Sequence, residues 1–125
     1  MTDVNTVVDR YVAFWNESDA ARRDALVADV FAPDAQYAGP LVEGAGLDGI
    51  AMLATRLKEH LSDFRFNRTS DVDAHHDVVR YGWELVPAGG GEVFAAGVDF
   101  CRVVDGKMQS VSAFLDVGPQ GVGEH

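Results

Sequence analysis

The sequence predicts an α+β domain, three amphipathic helices followed by a mainly antiparallel sheet, and three observations carry that expectation. Apolar residues recur at helical spacing as far as Leu61, the period changes to two from Phe64 onward, and Asp105-Gly106 stands as a hairpin turn between two alternating runs. The chain has 125 residues, 47% hydrophobic and 24% charged. That composition is globular, and a chain of this length buries roughly two thirds of its unfolded surface. A single domain over residues 1–117 is expected, with a flexible tail at 118–125 that has little to bury.

Each element has its own local signal. Val4, Val7, Val8, Tyr11, Phe14 and Trp15 follow the i, i+3, i+4, i+7 pattern, and Thr2 or Asp3 can cap a helix over 3–17. Ser18 or Asp19 caps a shorter helix over 19–31, with Leu26, Val27, Val30 and Phe31 on one side; Pro33 forbids its continuation. Gln36 and Tyr37 leave room only for a brief strand before Gly39-Pro40. Ile50, Leu53, Ala54, Leu57 and Leu61 predict a third helix over 47–61. Four strands follow, Phe64 to Ala74, Val78 to Pro87, Glu92 to Val104 and Lys107 to Asp116, with turns at His75-His76-Asp77, Ala88-Gly91 and Asp105-Gly106.

A two-residue turn at Asp105-Gly106 pairs Val104 with Lys107 and, continued without a bulge, sets Asp99 opposite Ser112 and Gly97 opposite Phe114. A five-residue loop at Pro87–Gly91 sets Trp83 opposite Ala95 and Tyr81 opposite Gly97. The expected inner face thus carries Tyr81, Trp83, Asp99, Cys101, Ser112, Phe114 and Asp116 beneath the helices. The outer face carries Val98, Phe100, Val111 and Ala113, too apolar to stand in water, so a second subunit is expected to cover it.

Charge narrows the partners. Twenty acids against ten bases give a formal charge of −10, which disfavours nucleic acid and anionic membrane surfaces. The single Cys101 suits a reducing compartment, and Met1-Thr2-Asp3 offers neither a basic start nor an apolar signal segment, so a cytoplasmic location is expected. Gly44-Ala45-Gly46-Leu47-Asp48-Gly49 has the letter of a dinucleotide fingerprint but lacks the leading strand and the parallel strand after the helix. His75-His76, adjacent on a strand end, point to opposite sides and make a poor metal pair, so no metal or cofactor is expected. Asp99 is the residue to single out, because an acid in mid-strand needs either a use or a partner. A salt bridge to Arg80 or Arg10, or plain exposure, would explain it as well as a catalytic role does.

Tyr11-Val12-Ala13-Phe14-Trp15-Asn16, Phe31-Ala32-Pro33-Asp34-Ala35-Gln36-Tyr37 and Val98 through Met108, taken in order, resemble the nuclear transport factor 2-like superfamily, in particular its SnoaL-like and ketosteroid isomerase-like branch. The resemblance implies a strongly curved sheet closed by the helices into a cone with an apolar pocket, and a convex side that often dimerises. It also implies that Tyr11 and Asp99 match the pair forming the isomerases' oxyanion hole, whereas Gly39 stands where their base precedes a proline. The expected function is a cofactor-free isomerase, cyclase or hydrolase acting on an apolar cyclic, polyketide- or steroid-like compound; the alternative is a binding protein or interaction module. The expected site has Asp99 and Tyr11 as catalytic residues, with Trp15, Tyr37, Met52, Tyr81, Trp83, Ser112, Phe114 and Asp116 around the substrate.

Overall fold

The computed structural model describes residues 3–40 and 42–118. The order of elements is α1 (Val4–Asn16), α2 (Ala20–Val30), β1 (Phe31–Ala38), β2 (Glu43–Ala45), α3 (Gly46–Leu61), β3 (Phe64–Arg68), β4 (Asp73–His75), β5 (Val78–Pro87), β6 (Ala95–Val104) and β7 (Lys107–Val117). The strands form one curved, unclosed sheet ordered β2-β1-β7-β6-β5-β3, with β4 paired to β5 beside β3, and the three helices pack on it. The fold is the α+β cone expected.

The helix starts follow from their caps. Asp3 accepts from the Asn5 N–H at 3.0 Å and Asp19 from the Ala21 N–H at 2.9 Å, each satisfying an otherwise orphaned donor of the first turn. Thr2, the alternative first cap, lies outside the described residues, as does the tail beyond Gly118. Val8, Phe14, Phe31, Ile50, Met108 and Val111 form the centre of the core. Tyr11 sits edge-on to Trp15, Phe31, Phe66 and Tyr81, at centroid distances from 5.8 to 6.4 Å, and so ties α1 to the sheet.

Four expectations need correction. The brief strand at Gln36–Tyr37 is in fact eight residues long and runs parallel to β7, with Gln36 beside Ser110 and Tyr37 beside Val111. Pro33 stops the helix but not the strand, because the pairing with β7 shifts between Phe31 and Gln36 and the proline stands exposed in that irregularity. The strand foreseen over Phe64 to Ala74 is broken into β3 and β4, which pair with different stretches of β5. Between them Thr69 N–H donates to the Gly82 carbonyl at 2.9 Å and Ser70 Oγ accepts from Gly82 N–H at 2.8 Å, so one backbone bond and one hydroxyl satisfy Gly82 across the break.

The third strand begins at Ala95, not Glu92, and the longer loop moves the register by two: Tyr81 lies opposite Asp99 and Trp83 opposite Gly97. A shift of two leaves every side chain on its expected face. The fourth correction does not. Asp105 and Gly106 both have positive φ, 54° and 77°, as a type I′ turn requires, and Val104 pairs with Lys107 as expected. A bulge then intervenes between Arg102 and Val103, leaving Gln109 as the extra residue, so that Asp99 faces Ala113 and Gly97 faces Leu115. Beyond that point β7 is inverted relative to expectation.

Candidate active site

Asp99 stands on the concave side of the sheet and is only 2% exposed. Its cross-strand neighbour Tyr81 donates to Asp99 Oδ2 at 3.0 Å, and the buried Cys101 thiol approaches the Tyr81 oxygen at 3.9 Å. Arg80 projects to the other side of β5 and pairs with Asp73 at 2.9 Å in solvent, while Arg10 is exposed on α1 beside a separate surface groove. Neither supplies the salt bridge that would have accounted for Asp99. Among the described residues no salt bridge reaches the carboxylate, and burial raises its pKa to about 7, against the opposing pull of hydrogen bonding from the Tyr81 and then the Tyr11 hydroxyl. The same burial, reinforced by the negative charge of Asp99, pushes the Tyr11, Tyr37 and Tyr81 hydroxyls and the Cys101 thiol upward, so these remain neutral donors.

Asp99 lines a cavity of about 240 Å³ between the sheet and α3. Around it stand Tyr11 and Trp15 from α1, Tyr37 from β1, Ala54, Leu57 and Leu61 from α3, Phe66 and Trp83 from the sheet, and Ala113 and Leu115 from the inverted half of β7. Such a lining, apolar with few convergent polar groups, is the common constitution of small-molecule sites. Asn16 also lines it, but both ends of its amide are used: Nδ2 donates to the Phe66 carbonyl and Oδ1 accepts from the Phe66 N–H, each at 2.8 Å. That side chain clamps β3 to the end of α1.

Of the residues proposed from sequence, Asp99, Tyr11, Trp15, Tyr37 and Trp83 are gathered on the cavity wall. Tyr81 is buried behind Asp99 as its support and does not line the space. Met52 is 58% exposed, because Ala54 and Leu57 hold the cavity side of α3 and a residue two positions before Ala54 is turned roughly 200° away from it. Ser112, Phe114 and Asp116 are also outside the site: the bulge turns Ser112 and Phe114 to the convex face, and Asp116 is exposed near the strand end. The convex face accordingly shows Val98, Phe100, Ser112 and Phe114, while the expected Val111 and Ala113 point inward.

Sequence reasoning missed Leu57, Lys58 and Leu61 as lining residues, although the phase of α3 carried that signal. Phe66 and Phe94 had none, since their placement depends on how β3 registers against β5 and on the length of the β5–β6 loop. Among the described residues no group of three or more His, Cys, Asp or Glu side chains is arranged to hold a metal ion. The glycine-rich stretch is a short antiparallel hairpin strand, β2, leading into α3, which is not the strand-to-helix crossover of a dinucleotide site.

This combination of a curved sheet, three covering helices and a buried acid in an apolar cone has a family. Residues 8–111 match the SnoaL-like domain, and the chain belongs to that family. A SnoaL-like family protein from Agrobacterium tumefaciens, provisionally called an isomerase, is similar to 90% of this chain over 96% of its own, at 32% identity and a TM-score of 0.84. A protein from Kribbella flavida, provisionally called a ketosteroid isomerase, shares the fold at 21% identity and a TM-score of 0.69, over 90% of this chain and 77% of its own. Another from Sinorhizobium meliloti, provisionally called a polyketide cyclase, does so at 15% identity and 0.68, over 86% and 93%. Among curated proteins none matches.

Proposed function

We propose that the protein is an acid–base enzyme of the isomerase, cyclase or hydrolase kind, acting without a cofactor on an apolar cyclic compound, polyketide- or steroid-like in character. The observation that carries this reading is a single carboxyl group, Asp99, desolvated on the wall of an otherwise apolar cavity and titrating at about 7. Such a group exchanges a proton near neutral pH, where an ordinary carboxylate is a poor acid. Tyr81 donates to Asp99 Oδ2 and so fixes the carboxyl group on the cavity wall. Tyr11, also on the wall and kept neutral, donates to oxygen as charge develops on it. Trp15, Tyr37 and Trp83 supply flat apolar surface for a ring system.

A non-catalytic binding protein is the second reading, and one observation favours it. Gly39 lines the cavity at the position where the isomerases it resembles carry a base, and Asp99 is the one carboxylate among the described residues that line it. A thermal-shift screen of cyclic ketones and polyketide-like compounds, with wild type and Asp99→Asn, followed by product analysis on each hit, separates the two. Turnover that survives Asp99→Asn unchanged removes Asp99 from the mechanism. Tight binding without product in either form makes the binding protein the correct reading.

The same reading includes a homodimer formed through the convex face, where Phe100 is 45% and Phe114 58% exposed. A two-fold contact covers such a patch with one self-complementary surface. Light scattering should give twice the chain mass for the wild type and the chain mass for Phe114→Lys; a monomeric wild type rejects it. The buried free Cys101 and the net charge of −10 support a cytoplasmic protein that does not engage nucleic acid.

A further inference from the structure

The cavity has a second ionisable residue that the proposed chemistry does not use. Lys58 is the one cationic side chain among the described residues lining it, and it sits on α3 one turn after Ala54 and beside Leu57, on the face that walls the space. Lys58 is partly exposed as well as lining, so it stands where the cavity meets solvent. An apolar wall is a poor place for an ammonium group, and the surroundings do not compensate it. Burial lowers its pKa, Arg23 and then Arg65 push in the same direction, and Glu17 opposes them most weakly.

Its neighbours are equally short of counter-charge. Among the described residues the salt bridges are Arg80 with Asp73 and Arg102 with Asp77, and neither touches this cluster. Arg23, 2% exposed, spends its guanidinium on the Glu17 backbone carbonyl at 2.8 Å and on Thr55 Oγ1 at 3.5 Å, and its Nε has no partner. Thr55 is one turn before Lys58 on α3, which brings the buried guanidinium against the same stretch of helix. Arg65 lies on β3 between Phe64 and Phe66, which line the cavity, so its exposed side chain belongs to the other face of the strand and acts on Lys58 only as a like charge. Lys58 is therefore the cation at the cavity rim, with the like charges of Arg23 and Arg65 acting on it, in a chain whose acids outnumber its bases two to one. Buried or half-buried charge without a partner is costly, and an anion arriving there would be stabilised.

We propose that this rim recognises a carboxylate on the ligand, so that the compound is an amphipathic acid: an apolar ring body in the cavity, its carboxylate on Lys58, and its reacting oxygen at Asp99. A single half-buried ammonium in an apolar wall suits one negative charge better than a phosphate dianion, which would bring more charge to be desolvated. The inference rests on the cavity being the ligand site, and the experiment separates the two statements.

The probes are 2-naphthylacetate and its neutral amide, titrated by calorimetry into the full chain. Wild type should bind the acid on the order of tenfold tighter than the amide, as a charge-assisted contact provides. Lys58→Met should bring the ratio to about one while amide affinity, which reports an intact cavity, stays unchanged. Lys58→Arg should retain the preference, and so should Asp99→Asn. Leu57→Trp, which fills the cavity, should abolish both titrations. Equal affinities in the wild type, or a preference that survives Lys58→Met, overturns the carboxylate site and leaves the cavity standing. Binding of neither probe to wild type, or of both to Leu57→Trp, overturns the cavity reading and the carboxylate site with it.

Discussion

The titration of Asp99 ties the site to the stability of the whole fold, and the size of the link follows from its burial. Its carboxyl titrates at about 7 in the fold against 3.8 in the unfolded chain. The folded state therefore holds the proton more tightly, and stability due to this group is fully present below pH 4, falls as pH rises, and is gone above pH 7. At about 1.4 kcal/mol per pH unit the whole effect is about 4 kcal/mol, of which about 2–3 kcal/mol falls between pH 5 and pH 8. Asp99→Asn replaces the protonated acid with a neutral group of the same shape that still accepts from Tyr81. Urea unfolding of both proteins at pH 5, 6, 7 and 8 isolates the contribution, because every other titrating group is common to the pair. The stability of the variant relative to wild type should rise by about 2–3 kcal/mol from pH 5 to pH 8. A flat difference would show that the carboxyl is ionised in the fold throughout this range, whether left in water or held down by a cation, and would refute the argument for a neutral-pH acid.

The other expectations are quicker to state. Gly97→Ala should prevent folding or cost more than about 3 kcal/mol in urea unfolding, since a Cβ at this buried position would overlap the Phe114 carbonyl of the neighbouring strand. Asn16→Ala should cost about 1–3 kcal/mol by releasing both the Phe66 N–H and the Phe66 carbonyl, and hydrogen exchange should accelerate in β3 before it does elsewhere. Asp19→Ala should cost about 1 kcal/mol in thermal or urea unfolding through loss of the α2 cap. Ala113→Phe should block ligand binding measured by calorimetry, whereas Ser112→Phe should leave it intact; the reverse pattern would restore the register without the bulge.

What was legible in advance was local. The three helices could be read because each repeats its apolar residues within a turn and carries its cap next to it, as Asp3 and Asp19 show. The β6–β7 hairpin was legible because a type I′ turn demands positive φ and Asp105-Gly106 tolerates it. Asp99 drew notice because an acid in a run of strand formers is out of place, and the concave face placed it among aromatics as foreseen. The remainder depended on contacts far along the chain. Nothing between Phe31 and Ala38 reveals that β7 will lie parallel beside it, and Pro33 argues locally against a strand. Gln109 carries no mark of a bulge: it is an ordinary polar residue whose Nε2 donates to Asp34 Oδ1 on β1, a partner visible only after folding. That one residue moved Ser112 and Phe114 out of the expected site and brought Ala113 and Leu115 into it.

The alternation along β7 separates two kinds of selection by single residue steps. Val111, Ala113 and Leu115 are answerable to the core and to whatever occupies the cone; Ser112 and Phe114 are answerable to whatever meets the convex surface. Point substitutions can therefore retune ligand preference and subunit contact as independent traits, although both are written in the same eleven-residue strand. A one-residue deletion at Gln109 has the opposite character: it exchanges the two sets at a stroke. Relatives of this chain should diverge freely by substitution in this strand while conserving its length between the Asp105-Gly106 turn and Leu115.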